Sequence, residues 1–127
     1  MNDKKIDLIN TRVDLQEQAF VLFEQGKDEE AFKCMLKSAE MGDVVSQYYV
    51  GCYYEQGCGV KQDYIKAAEF YEMVSHCQDV VASDMPFSPQ CDAEFAMGRL
   101  YKRGLLPNST HEKASEWFKK AVKHGYK

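Results

Sequence analysis

The chain has 127 residues, enough for one domain with its own hydrophobic core but not for a second one. Its 45% hydrophobic and 28% charged residues are typical of a folded globular protein and exclude an intrinsically disordered chain. The net charge of −4 argues against non-specific binding to nucleic acids. No apolar run reaches the roughly 20 residues of a membrane helix, and the first residues lack the apolar segment of a signal peptide, so we expect a cytoplasmic protein.

The first pair of predicted helices lies in residues 12–42. Thr11 followed by Asp14 is a weak capping box and predicts where the first helix begins. Gly26 and Gly42 stand where helices commonly end in the left-handed conformation. We therefore expect a short loop, residues 27–30, to join the two helices.

The second pair is predicted in residues 43–78. Apolar and small residues recur every two to four positions from Tyr48 to Tyr54, which indicates one packing face of a helix that ends at Gly57. Asp63 can cap the next helix, which begins near Tyr64.

An insertion, residues 79–91, follows, in which Pro86 and Pro89 forbid a continuous helix. The preceding helix could extend to about Ser83, and the loop carrying Met85 and Phe87 is interpreted either as a binding element or as a decoration of the fold. The third pair spans residues 92–125, with Ser109 and Glu112 as a capping box and Gly104 and Gly125 at helix ends.

The three pairs are copies of one repeat. A shift of 47 positions aligns GCYYEQG (51–57) with GRLYKRG (98–104), and AAEFY (67–71) with ASEWF (114–118). AFVLFEQG (19–26) and AFKCMLKSAEMG (31–42) form a weaker first copy. Small residues at matching places allow helix backbones to approach, and aromatic residues fill the space beside them. We expect these positions to be core: Gly51, Gly98, Ala67 and Ala114, with Tyr54, Phe70, Tyr101 and Trp117.

The string SQYYVGCYYEQGCGVKQD (46–63), followed by AAEFY, resembles the Sel1-like repeat, a relative of the tetratricopeptide repeat. Residues 92–125 resemble it well, with LLPN (105–108) in place of the Gly-x-Gly-Val loop, and residues 12–42 resemble a tetratricopeptide unit. The resemblance implies an all-α fold, a right-handed α-α superhelix (solenoid) of about three stacked helix hairpins in one domain, 1–127. It also implies an adaptor or scaffold in protein complexes.

A concave groove in such a solenoid suits another protein or peptide. The positions of each first helix that packing does not use should face that partner, and within each helix they are spaced by three and then four residues. We interpret them as one stripe that grips an acidic segment with an apolar anchor. The predicted contact residues are Gln18, Val21, Gln25, Tyr49, Cys52, Tyr53, Gln56, Arg99 and Arg103.

The sequence offers little for chemistry. The neighbours His76 and Cys77 have no ligand three or four residues away, and none of the common nucleophile or phosphate-binding motifs is present, so we expect no metal, no cofactor and no enzymatic activity. The five cysteines do not recur at matching repeat positions, as they do in a disulfide-rich branch of the Sel1 family, so free thiols are expected.

Charge distribution bears on the partner. Residues 99–127 contain eight Lys and Arg residues and two Glu residues, a net charge of +6, which leaves a net charge of −10 for residues 1–98. The basic end is either a docking surface or a set of cations suited to the negative end of a last helix.

Two functions and one assembly state follow. The first function is a bacterial cytoplasmic adaptor. The alternative is an immunity protein that occludes the active site of a secreted toxin, with the acidic half mimicking a nucleic-acid substrate. A homodimer through an uncapped end of the solenoid would cover the apolar side of the last pair.

Overall fold

The computed structural model describes residues 2–77 and 88–125, with the side chains of residues 11–12, 14–77 and 88–125. All regular structure in these residues is helical: α1 (Asn2–Glu24), α2 (Asp28–Glu40), α3 (Val44–Gln56), α4 (Tyr64–Ser75), α5 (Pro89–Lys102) and α6 (His111–Lys123). None of the described helices is both long and apolar enough to cross a membrane. The helices fall into two compact units, Met1–Asp63 and Tyr64–Lys127, called unit 1 and unit 2 below.

The helices end at the glycines that the sequence predicted. Gly26, Gly42, Gly57, Gly104 and Gly125 all have positive φ, between 70° and 109°. At Gly57, for example, φ is 70° and ψ is 39°, a left-handed conformation that costs glycine little because it has no Cβ. The predicted positions of these helix ends are confirmed.

Four predicted helix boundaries are wrong. α2 begins at Asp28, so most of the predicted loop, residues 27–30, is helical. α1 begins at Asn2 and not near Thr11, so Thr11 lies inside the helix. The N-cap of α6 is Thr110, whose hydroxyl accepts from the Lys113 N–H, whereas the Ser109 hydroxyl is bonded to the backbone of Leu106. α4 ends at Ser75 and does not extend to Ser83.

α5 begins inside the predicted insertion. Pro89 is its first residue, where the missing N–H removes no helical hydrogen bond, and Ser88 caps the helix by accepting from the Cys91 N–H. The predicted loop residues Met85 and Phe87 lie outside the described residues.

In unit 1, α2 packs against both α1 and α3. The core of this unit contains alanines, aromatic residues, a methionine and a valine, all at most 9% exposed: Ala19, Ala31, Phe32, Met35, Ala39, Val50, Tyr53 and Tyr54. A chain of buried hydroxyls crosses it. Ser46 of α3 donates to Ser38 of α2 at 2.8 Å, and Ser38 donates to the Arg12 carbonyl of α1 at 2.9 Å.

In unit 2, α5 packs against both α4 and α6. Gly98 of α5 is buried beside the ring of Phe118 of α6, and a Cβ added at Gly98 would lie 2.6 Å from that ring. Glu94 of α5 is 1% exposed, and its carboxylate lies 2.7 Å from His124 Nδ1. These contacts fix the hairpin of α5 and α6.

The aromatic core differs in part from the prediction. Tyr54 is buried, but Tyr101 and Trp117 are half-buried, with the Lys113 ammonium 5.7 Å from the Tyr101 ring centroid and that of Lys120 4.3 Å from the Trp117 centroid. Phe70 is half-buried as well. In the last hairpin the ring beside the small residue is therefore Phe118, the neighbour of the predicted Trp117.

Candidate functional site

An aromatic patch lies at the surface of unit 1, where α1 and α3 meet. The ring of Phe20 on α1 meets that of Tyr49 on α3 edge-on, with centroids 5.2 Å apart, and Tyr48 lies 5.8 Å from Tyr49. Phe20 is 38% exposed, and both tyrosines are half-buried. We call these three residues the aromatic patch.

A second layer of rings supports the patch from below. Phe23 of α1 lies 4.7 Å from Tyr53 of α3, and Tyr53 lies 6.4 Å from Phe32 of α2. Tyr53 is 8% exposed, and burial raises the pKa of its phenol well above its usual value. Tyr53, predicted to contact a partner, therefore belongs to the core, where it holds Tyr49 in place through a stacked contact of 6.3 Å.

The other predicted residues of unit 1 do not form one surface. On α3, Cys52 is half-buried and Gln56 is exposed. On α1, Gln18, Val21 and Gln25 are exposed, but they lie on the side of the helix roughly opposite Phe20 and Phe23, given 3.6 residues per turn. The structure does not bring this α1 triplet to Tyr49.

The reason is geometric. Equivalent positions on two stacked helices of a repeat point in the same direction along the stack. Tyr49, the equivalent of Gln18, points towards α1 and meets Phe20, so Gln18 itself points away from α3. Aligning copies identifies equivalent residues, but it does not identify neighbours.

In unit 2, the two predicted arginines lie one turn apart near the end of α5. Arg99 is half-buried, and Arg103, the residue that follows the helix, is exposed and donates its N–H to the Arg99 carbonyl. Guanidinium groups four residues apart share one face of a helix, so this end of α5 carries two adjacent positive charges.

The thiols form no disulfide bonds with one another, and the thiol of Cys58 is a weak nucleophile. All five cysteines are free, and the buried Cys91 donates to the His124 carbonyl. Burial and the negative charge of Asp28 raise the pKa of the Cys58 thiol, which keeps it protonated. The described residues contain no group of three His, Cys, Asp or Glu side chains that could hold a metal.

Sequence reasoning missed Phe20 and Phe118. Phe20 directly precedes the predicted contact residue Val21, and the aromatic residues Phe20 and Phe23, at a spacing of three, are the sequence signal for a ring-lined face. Phe118 was overlooked in favour of its neighbour Trp117.

The arrangement of helix hairpins agrees with a comparison against protein-family models. The Sel1 repeat model matches residues 24–43, 44–74 and 91–126, which together make up more than half of the chain. The chain belongs to the Sel1 repeat family. The family recognised in the sequence is thereby confirmed.

Solved structures support the same fold. A Sel1 repeat protein from Oxalobacter formigenes is 25% identical, with a TM-score of 0.70 over 92% of this chain and 45% of its own. The protective antigen c5321 of uropathogenic Escherichia coli, which displays an SLR fold, is 23% identical, with a TM-score of 0.72 over 90% of this chain and 23% of its own. The chain thus spans less than half the length of these two proteins. No curated protein matches the sequence.

These matches confirm the predicted fold class, an all-α solenoid of helix hairpins. Sel1 repeat proteins are generally scaffolds for protein–protein interaction and are generally non-catalytic.

Proposed function

We propose that this chain is a non-catalytic scaffold of the bacterial cytoplasm that binds a partner protein through the aromatic patch of unit 1. The observation that carries the proposal is a cluster of three rings at the surface, in which Phe20 and Tyr48 each contact Tyr49 and Phe20 is 38% exposed. Aromatic residues are among the most frequent energetic anchors of protein interfaces.

The patch is preformed. Tyr49 is held by Phe20 at 5.2 Å and by Tyr53 at 6.3 Å, and Tyr53 itself is buried. Rings that are already fixed lose little conformational entropy when a partner binds, so more of the contact energy appears as affinity. This rigidity supports a role as a docking surface.

Polar residues around the patch would orient the partner. Cys52 and Gln56 of α3 are accessible at least in part, and their side chains can form hydrogen bonds. Arg99 and Arg103 of unit 2, also predicted to contact a partner, form a separate candidate surface, and an acidic segment is the fitting counterpart of its two positive charges.

The test is a comparison of captured proteins. Phe20→Ala combined with Tyr49→Ala removes two rings of the patch, and we expect the loss of a hot spot to weaken capture of the partner by at least about 30-fold, the equivalent of about 2 kcal/mol. The matched control is Ile65→Ala on α4, since Ile65 is 53% exposed and lies in the other unit. Each variant is used to capture proteins from a lysate of the native cell. Mass spectrometry then identifies the proteins that the control variant retains and the patch variant does not.

Retention of the same proteins by both variants, with circular dichroism confirming that both are folded, would refute the role of the patch. The captured set also separates the adaptor from the toxin inhibitor. Several partners of moderate affinity support an adaptor, whereas a single secreted toxin that loses its activity in the complex assigns the inhibitor role.

A further inference from the structure

The last hairpin carries an open trough with an apolar floor and a basic rim. Its floor is formed by Ala114, Phe118 and Val122 of α6, and its rim carries Lys102 of α5 and Lys119 and Lys123 of α6. The trough has a volume of about 570 Å³, and Val122 is 65% exposed. We call it the α6 trough.

The shape of the α6 trough is that of a helix-packing face. The repeat offset of 47 residues makes Ala68, Tyr71 and Ser75 of α4 the equivalents of Ser115, Phe118 and Val122 of α6. On α4, which packs against α5, these three residues are at most 9% exposed. Gln90 of α5 also donates its side-chain N–H to the Ser75 carbonyl. On α6 the same positions are open, so the trough has the form that receives a helix.

A second open surface lies on α1. It runs along residues spaced by three and four, with Val21 and Leu22 as its apolar part and Asp14 and Glu17 as its charges. It lines a hollow of about 560 Å³ together with Gln18 and Gln25, and Val21 is 51% exposed. We call this surface the α1 stripe.

The α1 stripe is also equivalent to a packing face. Gln18 corresponds to Tyr49 of α3 in the repeat, and Tyr49 packs on the preceding helix through Phe20. The side that α3 turns towards α1 is thus the side that α1 leaves open.

The two surfaces are complementary in charge. The rim of the trough carries three lysines, whereas the charges of the stripe are two carboxylates with no cation among its lining residues. The apolar floor of the trough is open to solvent, and Val21 and Leu22 of the stripe are apolar side chains that could cover it. We propose that the α1 stripe of one copy of this chain docks in the α6 trough of a second copy, so that copies associate head to tail.

Such an interface joins two different surfaces of the chain, so it is heterologous, and the average mass of the assembly rises with concentration. Its charges are exposed, so salt weakens it. The association uses neither the aromatic patch nor the two arginines proposed for partner binding, and it extends rather than replaces that function.

The experiment measures molar mass by sedimentation equilibrium for the full chain at low salt and at about 0.5 M salt. Wild-type chain should show a mass that rises with concentration at low salt and falls towards the monomer at high salt. Asp14→Lys with Glu17→Lys gives a basic stripe, and Lys119→Glu with Lys123→Glu gives an acidic trough. Each variant alone should associate at least about 10-fold more weakly than wild type.

Mixing the two variants provides the decisive readout. In the mixture the basic stripe meets the acidic trough, so association should return, and a chain that carries all four substitutions should associate like wild type. Lys33→Glu with Lys37→Glu, at two exposed positions of α2, changes the net charge as much as the trough variant does and should leave association unchanged.

The proposal is overturned if the wild-type chain stays monomeric at low salt. It is overturned in the same way if the chain stays monomeric and the trough binds an acidic helix of another protein. It is equally overturned by association that the two charge variants leave intact, or by variants that fail to recover in the mixture while circular dichroism reports folded helices.

Discussion

At the scale of single residues, Gly98 sets the distance between the two helices of the last hairpin, α5 and α6. The glycine is buried on α5, and the position of an added Cβ lies 2.6 Å from both Cδ1 and Cε1 of Phe118 on α6. Carbon atoms in proteins pack at about 3.5–4.0 Å, so an alanine there would force the ring or the helix to move. The absence of a side chain is what allows the ring to sit against the backbone.

Gly98→Ala should therefore destabilise the protein by about 1–3 kcal/mol, although alanine has the higher helix propensity by about 1 kcal/mol. Urea unfolding followed by circular dichroism measures the change. In a Phe118→Ala background the ring is gone, and Gly98→Ala should become neutral or stabilising. An equal loss in both backgrounds would mean that the Phe118 contact is not the cause.

Residue types alone predicted part of this picture. The helix ends at glycines were predicted correctly because the ability to adopt a positive φ without strain is a property of glycine itself. The choice between the neighbours Trp117 and Phe118 was not predictable in the same way. Which of two adjacent aromatic residues faces α5 depends on the rotation of α6, and Trp117 is left half-buried under the Lys120 ammonium.

At the scale of helices, three segments of unit 1 are tied together by the buried hydroxyl chain. Ser38 is 0% exposed, donates to the Arg12 carbonyl at 2.9 Å and accepts from Ser46 at 2.8 Å. These bonds connect α2 to α1 and α3 in an environment that water does not reach. A buried hydroxyl without a partner costs free energy, so each bond matters for stability.

Ser38→Ala should lower the free energy of unfolding by about 1–3 kcal/mol, because Ser46 loses its acceptor while it stays buried. Thermal and urea unfolding measure the loss. Ser115→Ala on α6 is the matched control, since Ser115 is exposed and should change stability by less than about 0.5 kcal/mol. Equal stability of Ser38→Ala and Ser115→Ala would show that the hydroxyl chain contributes nothing.

The sequence largely predicted which segments are helical, but it predicted less well the residues at which the helices begin and end. Apolar spacing and glycines predicted where α2 and α3 end, whereas α2 begins at Asp28, inside the predicted loop, and α1 begins at Asn2. Ile6 and Ile9, with Val13 four residues further on, are an apolar signal for the longer α1 that the prediction of a cap at Thr11 did not use. The candidate surface was predicted less well. Tyr49 was predicted as a contact residue, but Phe20 was not. The spacing of Phe20 and Phe23 indicates a ring-lined face of α1, and the structure then shows that this face lies beside Tyr49.

At the scale of the whole molecule, the repeat accounts for both the fold and the open surfaces. Three Sel1 repeats match the chain, and each repeat buries its apolar face against a neighbour. Faces that no described helix covers, the α1 stripe and the α6 trough, keep the character of packing faces. The aromatic patch is different, since its rings are already in contact with one another and remain in part exposed.

Site-specific photocrosslinking tests the central claim, partner binding at the aromatic patch, most directly. A benzophenone amino acid replaces Tyr49 in one variant and the exposed Glu69 of α4 in another, and both are irradiated in the native cell. The account predicts that position 49 crosslinks to a partner protein and that position 69 does not. Crosslinks of the same partner from position 69, with none from position 49, would contradict it.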